Sequence, residues 1–355
     1  MSVGKPIRRS VCVLLVCCLV HGPTAAQDTT LATSSQAAQT DVQQPSGSLG
    51  FVRAFSSSDY VERPLPPVLD RTLDIVAGPK DPRPPVVVLH SLSAVTTDSS
   101  DRVFVADSAA NAVDVFDFSR SKFGLLRDPN RLKSPVSLAV DGHDNLYVVD
   151  RSSRTILVYD STGKFLRSLG KLRGGESYFE SPTGIAIDTT TGLIYVCDTG
   201  RHMVIVMDNR GRVISKFGKR GGGEQPGEFR LPSQAVVGGG ELFVLDAGNM
   251  RIQILDTAGH FRRAINLVYA NQHTGLAVDN QGNIYVSDPV LNQIQVFSRE
   301  GQRLYTFDTS TIKGANFSNP SGMWIQAGSC LYVLDSQSNR VGLFQIRGEN
   351  ARKCR

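Results

Sequence analysis

Six copies of one short pattern, an aromatic residue, Val, any residue and Asp, divide this chain into units of similar length. They end at Asp107, Asp150, Asp198, Asp246, Asp288 and Asp335, spaced 43, 48, 48, 42 and 47 residues apart. A repeat of that size means a chain of supersecondary units, each burying its apolar face against its neighbours.

Each unit reads as four short strands. A Pro or Gly signal opens an apolar run, as at Pro135, Pro182, Gly275 and Pro320. A polar turn such as 141–145 or 279–283 leads to the aspartate strand. A loop, a third β-branched run and a turn at Gly163, Gly211, Gly259 or Gly301 bring in the fourth. Runs of four to six β-branched and aromatic residues between Gly, Asn and Asp turns are strand signals. No long stretch shows helical spacing. Four strands per unit, six times over, predicts an all-β, six-bladed propeller of antiparallel blades over 71–346. The last unit is one strand short after Ile346. The stretch 73–78 resembles the fourth strands ending at Gly170 and Gly218, so an N-terminal strand there is expected to cover the open edge and close the ring.

The pattern Pro182-Thr-Gly-Ile-Ala-Ile-Asp188, followed by Tyr195-Val-Cys-Asp198, resembles NHL repeats, as does Asn249-Met-Arg251-Ile-Gln-Ile-Leu-Asp256. The resemblance implies a propeller fold and leaves function open, because propellers host many unrelated activities. The repeats are also similar to those of peptidyl-hydroxyglycine amidating lyases. That similarity implies zinc histidines just after the residue that opens each inner strand. Those positions hold Val136, Thr183, Ser233, Thr274 and Ser321, none a zinc ligand of the usual kind. His90 and His273 lie near such positions, whereas His143, His202 and His260 fall in turns or loops. A lyase-like or lactonase-like enzyme with a channel metal is therefore the alternative reading, and no metal or cofactor is expected.

The N-terminus has the form of an export signal. Lys5, Arg8 and Arg9 precede an apolar run too short to span a bilayer, and Ala25-Ala26 offers a cleavage site. Residues 1–26 are read as a signal peptide, 27–70 as a disordered or extended linker, and 347–355 as a tail. The protein is expected to be exported, periplasmic or extracellular. The formal charge of +5 falls to +2, 35 basic against 33 acidic residues, once the first 26 residues are set aside. That balance argues against nucleic acid. Cys197, Cys330 and Cys354 remain beyond residue 26. Cys197 lies in an apolar strand. The tail is long enough to bring Cys354 back to Cys330, and an oxidising compartment favours that bridge; a free thiol or a bridge to another chain are the alternatives.

No Gly-x-Ser-x-Gly elbow supports nucleophilic chemistry, and the Gly-rich stretch 218–223 lacks the Lys-Ser/Thr ending of a phosphate loop. The six aspartates are expected to cap loops by accepting backbone N–H groups. The remaining signal is charge. The loops after the aspartates and the loops between blades emerge on one face in this fold. On blades 2 to 4 they carry Arg151, Arg154, Lys171, Arg173, Arg201, His202, Lys219, Arg220 and Arg251, against Glu176, Glu224 and Glu228. That excess points to a non-catalytic binding or scaffold module for a protein or an acidic polysaccharide.

Overall fold

The computed structural model describes residues 49–56, 89–311, 317–346 and 353–354. It shows six four-stranded antiparallel sheets. Blade 1 comprises β2 (Leu92–Thr97), β3 (Val103–Asp107), β4 (Ala112–Asp117) and β5 (Lys122–Leu126). Blade 2 comprises β6 (Pro135–Val140), β7 (Leu146–Asp150), β8 (Thr155–Tyr159) and β9 (Phe165–Leu169). Blade 3 comprises β10 (Pro182–Ile187), β11 (Ile194–Asp198), β12 (Met203–Met207) and β13 (Val213–Gly218). Blade 4 comprises β14 (Pro232–Gly238), β15 (Glu241–Asp246), β16 (Arg251–Asp256) and β17 (Phe261–Asn266). Blade 5 comprises β18 (Leu276–Val278), β19 (Ile284–Asp288), β20 (Gln293–Phe297) and β21 (Arg303–Asp308). Blade 6 comprises β22 (Pro320–Gln326), β23 (Cys330–Asp335) and β24 (Arg340–Ile346), with β1 (Leu49–Phe55) as its outer strand. The first strands of neighbouring blades pack against one another all the way round, β22 against β2 included, so the ring is closed.

The burial follows from the ring. Second strands such as β7, β11 and β19 are buried along their whole length, because a blade covers each face. Outer strands such as β13 and β17 alternate between exposed and covered residues. Apolar packing forms six clusters, each joining two adjacent blades; one sets Tyr147, Val149 and Ile156 of blade 2 against Ile185, Val196 and Ile205 of blade 3. A Gly-then-Phe pairing locks the inter-blade loops. Gly218 has φ +92°, and a Cβ there would stand 2.7 Å from the buried ring of Phe229, so only glycine suits the position.

Closure differs in one respect from the sequence-based expectation. The N-terminal strand is Leu49–Phe55, which pairs antiparallel with β24 from Leu49 opposite Ile346 to Phe55 opposite Val341. It lies within the stretch read as linker. The expected segment, 73–78, is outside the described residues, as are the signal and most of the linker and tail. The assignment to Leu49–Phe55 has a packing reason. Phe51 meets the edge of Phe344 at 5.5 Å, and Phe55 meets Phe116 at 5.0 Å, so the strand ties blade 6 to blade 1 through its aromatic side chains. A disulfide joins Cys330 to Cys354, with Cα atoms 5.6 Å apart. Cys197 is a buried free cysteine. Burial first, then the carboxylates of Asp198 and Asp246, pushes its thiol pKa far up.

Candidate functional site

The site is framed by the six aspartates. Asp150 accepts the N–H groups of Lys133 and Ser134 at 2.6 and 2.7 Å, and that of Ser153 at 2.7 Å. It thereby ties the loop entering its blade to the loop leaving the second strand. Asp107 does the same with His90, Ser91, Ala109 and Ala110. Asp198 holds Glu180 and Ser181, and Asp335 holds Ser318 and Ser338. In blade 4 side chains take over much of this work. Asp246 accepts from Arg230 N at 2.6 Å, Asn249 Nδ2 at 2.9 Å, Arg251 Nε at 2.8 Å and Gln253 Nε2 at 3.0 Å. Asp288 departs from the pattern. It accepts from Val290 and Leu291, but its second oxygen is buried without a partner among the described residues. Asn271 holds the loop there instead, accepting from His273 and Thr274.

The nine candidate binding residues fall into two groups. Arg201 lies 3.4 Å from Asp198 and stacks on Tyr178; Arg251 pairs with Asp246 and also donates to Gln225 O and Glu228 O. Lys219 is 3.6 Å from Glu228, and His202 Nδ1 accepts from Leu231 N at 3.0 Å. These four hold the protein's own loops. Arg151, Arg154, Lys171, Arg173 and Arg220 are exposed and make no ion pair among the described residues. Exposed apolar side chains share their face: Leu172, Leu231, Met250, Val268, Val290 and Leu291.

A central channel was expected from the fold, but its lining was not. A cavity of about 670 Å³ runs along the axis and is lined by residues from all six blades. A bulge recurs at the start of the inner strands, between Pro135 and Ser137, Pro182 and Gly184, and Pro232 and Gln234. It lifts Val136, Thr183 and Ser233 out of the ladder, and all three line the cavity, as Ser321 does. These are four of the five positions where the lyase resemblance implied zinc ligands, and they carry one methyl pair and three hydroxyls; the fifth, Thr274, is buried and does not line the cavity. His90 and His273 also line the cavity. Among the described residues no three His, Cys, Asp or Glu side chains come together to hold a metal. The apolar lining was not legible because its half-buried Val and Ile side chains look in sequence like any core strand; the repeated Pro-x-polar or Pro-x-Gly start was the available signal.

The two openings differ in charge. Arg151, His90 and His273 stand at the loop-face mouth, and Asp98, Asp141 and Asp144 at the other. Those three acids are occupied. Asp98 pairs with Arg102 at 2.6 Å, and Asp144 accepts from Ser99. Asp141 accepts from Asn145 and Tyr147. Burial opposes ionisation of Asp141, but the hydrogen bonds from Asn145, His143 and Tyr147 outweigh it and set its pKa below the usual value.

Comparison with known proteins agrees with this geometry. An NHL repeat model matches residues 179–213, which span the first three strands of blade 3. No curated protein matches the chain. Among solved structures, a catalytically inactive variant of virginiamycin B lyase from Staphylococcus aureus, solved with Quinupristin, is similar at 13% identity and TM-score 0.54, over 72% of this chain and 80% of that one. A streptogramin B lyase is similar at 13% and 0.53, over 73% and 95%. A structural genomics protein of unknown function from Bacteroides thetaiotaomicron is similar at 13% and 0.57, over 73% and 70%. At such identity the likeness is one of fold alone. The chain is thus a six-bladed β-propeller that carries an NHL repeat in its third blade.

Proposed function

We propose that the protein is an exported, non-catalytic binding module whose loop face on blades 2 to 4 takes an acidic partner, a protein or an acidic polysaccharide. The observation that carries the reading is the set of exposed cations without ion-pair partners among the described residues, Arg151, Arg154, Lys171, Arg173 and Arg220, interspersed with the exposed Leu172, Leu231 and Met250. Clustered charge of one sign raises the local concentration of an opposite partner, and apolar tips beside it supply contact area. Export is supported by the basic, apolar and small-residue order of residues 1–26; sequencing the N-terminus of the protein purified from its native source tests it. Among the described residues no helix is long and apolar enough to cross a membrane.

The binding test is retention on a dextran sulfate column across a salt gradient. Replacing Lys171, Arg173 and Arg220 together with Ala should lower the eluting salt concentration markedly and leave the melting temperature within about 1 °C, because exposed unpaired charges contribute little to stability. Elution at the parent's salt concentration would place the binding surface elsewhere.

A further inference from the structure

We propose that the central channel binds an amphipathic monocarboxylate, with its carboxylate at Arg151 on the loop-face mouth and an unbranched apolar tail along the axis. The cavity, about 670 Å³, falls within the range of small-molecule sites. Its wall is apolar along the middle of the inner strands and polar toward both mouths. Val136, Val140, Ile187, Val236, Val237 and Trp324 line it and are all half-buried, so they present hydrocarbon to the lumen. Inner strand edges would ordinarily offer unpaired backbone groups to that lumen. Here neighbouring blades engage several of them. Ser137 Oγ accepts from Ile185 N at 3.3 Å, Gln234 Oε1 from Leu276 N at 3.0 Å, and Thr183 Oγ1 donates to Ser233 O at 3.1 Å. Hydrogen-bonding capacity spent between blades is not offered to water, and such a wall favours an alkyl chain over a polar one.

Charge sets the direction. At the loop-face mouth Arg151 makes no ion pair among the described residues, and the nearby Asp107 and Asp150 are buried and engaged by backbone N–H groups. At the far opening the acids are all taken up by Arg102, Ser99, Asn145 and Tyr147. An anionic head therefore finds a counter-charge at the loop-face mouth only, whereas a cationic head meets at the far mouth only carboxylates already held by Arg102 or by hydrogen bonds. Gln272, His273, Ser108 and Ser336 ring the same mouth as further polar contacts. Strands of five to six residues are about 17–20 Å long, which suits a tail the length of dodecanoate.

Trp324 is the chain's one tryptophan and lines the cavity, so its fluorescence reports occupancy directly. The full-length protein is titrated with dodecanoate below its micellar concentration. A saturable change in emission is expected, with dodecanol and dodecyltrimethylammonium binding at least about tenfold more weakly, the loss expected for one missing charge-assisted contact. Arg151→Gln should weaken dodecanoate about tenfold and leave dodecanol unchanged. Val236→Phe, which narrows the lumen, should weaken both; should it fail to fold, Arg151→Gln, at an exposed loop residue, still decides. The absence of a saturable change, equal affinity for the alcohol, or an unchanged Arg151→Gln variant would each overturn the proposal. The Lys171, Arg173 and Arg220 triple replacement keeps dodecanoate binding if the channel site exists, whatever it does to polyanion retention, so the two proposals fail separately.

Discussion

Blades 1 and 4 place different residues at the same point of the same frame. Across the hairpin, Asp107 faces Ala112 in blade 1 and Asp246 faces Arg251 in blade 4. Two residues on, on the same side of the sheet, stand Asp114 and Gln253. Gln253 is fully buried and satisfied. Its Nε2 donates to Asp246 Oδ2 at 3.0 Å and to Glu228 O, and its Oε1 accepts from Gly227 N at 2.9 Å. Asp114 is 1% exposed, and neither of its oxygens has a hydrogen-bond partner among the described residues. An amide can donate to the neighbouring carboxylate; an ionised carboxylate can only repel it. Burial first, then the charge of Asp107, raises the pKa of Asp114 well above its usual value; Arg127 attracts it without reaching ion-pair distance. The repeat therefore fixes the backbone and leaves each blade to settle its own electrostatics.

The largest effect should come from removing the hub of the satisfied blade. Asp246→Ala leaves Arg251 Nε, Asn249 Nδ2 and Gln253 Nε2 without their common acceptor, one of them a half-buried cation. A loss of about 3–5 kcal/mol in urea denaturation is expected, the range for breaking a buried pair on one side. Asp107→Ala in blade 1 should cost less, because it also removes the carboxylate that opposes Asp114. If the two variants lose the same stability, the contrast between the blades does not exist.

Some of this was legible in sequence and some was not, for physical reasons. The aromatic-Val-x-Asp copies fix the second strand of each blade, since a buried strand needs a continuous apolar run and its terminal Asp needs backbone donors. The outer strands carry no such constraint. One of their faces is in solvent, so the stretch 73–78 and the true closing strand Leu49–Phe55 look equally suitable; the two aromatics Phe51 and Phe55 were the distinguishing mark. Arg251 was grouped with the binding candidates, although the five-residue spacing from Asp246, repeated between Asp335 and Arg340, is the register of a hairpin that brings Arg back to Asp. Asp114 carried no signal at all. Its difficulty depends on which neighbours reach it in space, and a lone Asp in a strand reads as an exposed residue.

Exchanging the residues sharpens the comparison. Gln253→Asp puts a second carboxylate beside Asp246 and removes one of the two donors to Glu228 O, with an expected loss of about 2–3 kcal/mol. Asp114→Asn supplies a donor toward Asp107 and removes the buried acid, with an expected gain of about 1 kcal/mol at pH 7. Denaturation midpoints at unchanged slope would measure both. A gain from Gln253→Asp, or a loss from Asp114→Asn, would mean that local packing rather than charge distinguishes these positions.

The smallest effect is also the most specific, because it depends on proton uptake. Asp114 titrates near pH 4 in the unfolded chain and higher in the folded one. Below the unfolded value both states hold the proton, and the site carries no ionisation penalty. Above it the unfolded chain releases the proton while the folded chain retains it, so stability falls with rising pH until the folded pKa is passed. Asp117, Asp141 and Asp160 act in the opposite sense, since their folded pKa values are lowered, but they are common to parent and variant and cancel in the difference. The advantage of Asp114→Asn should therefore be smallest at pH 4 and grow toward pH 7. Urea denaturation of both proteins at intervals between these limits measures it. A difference that stays constant with pH would show that Asp114 is not a carboxyl kept protonated by burial, and the contrast between blades 1 and 4 would reduce to hydrogen-bond geometry alone.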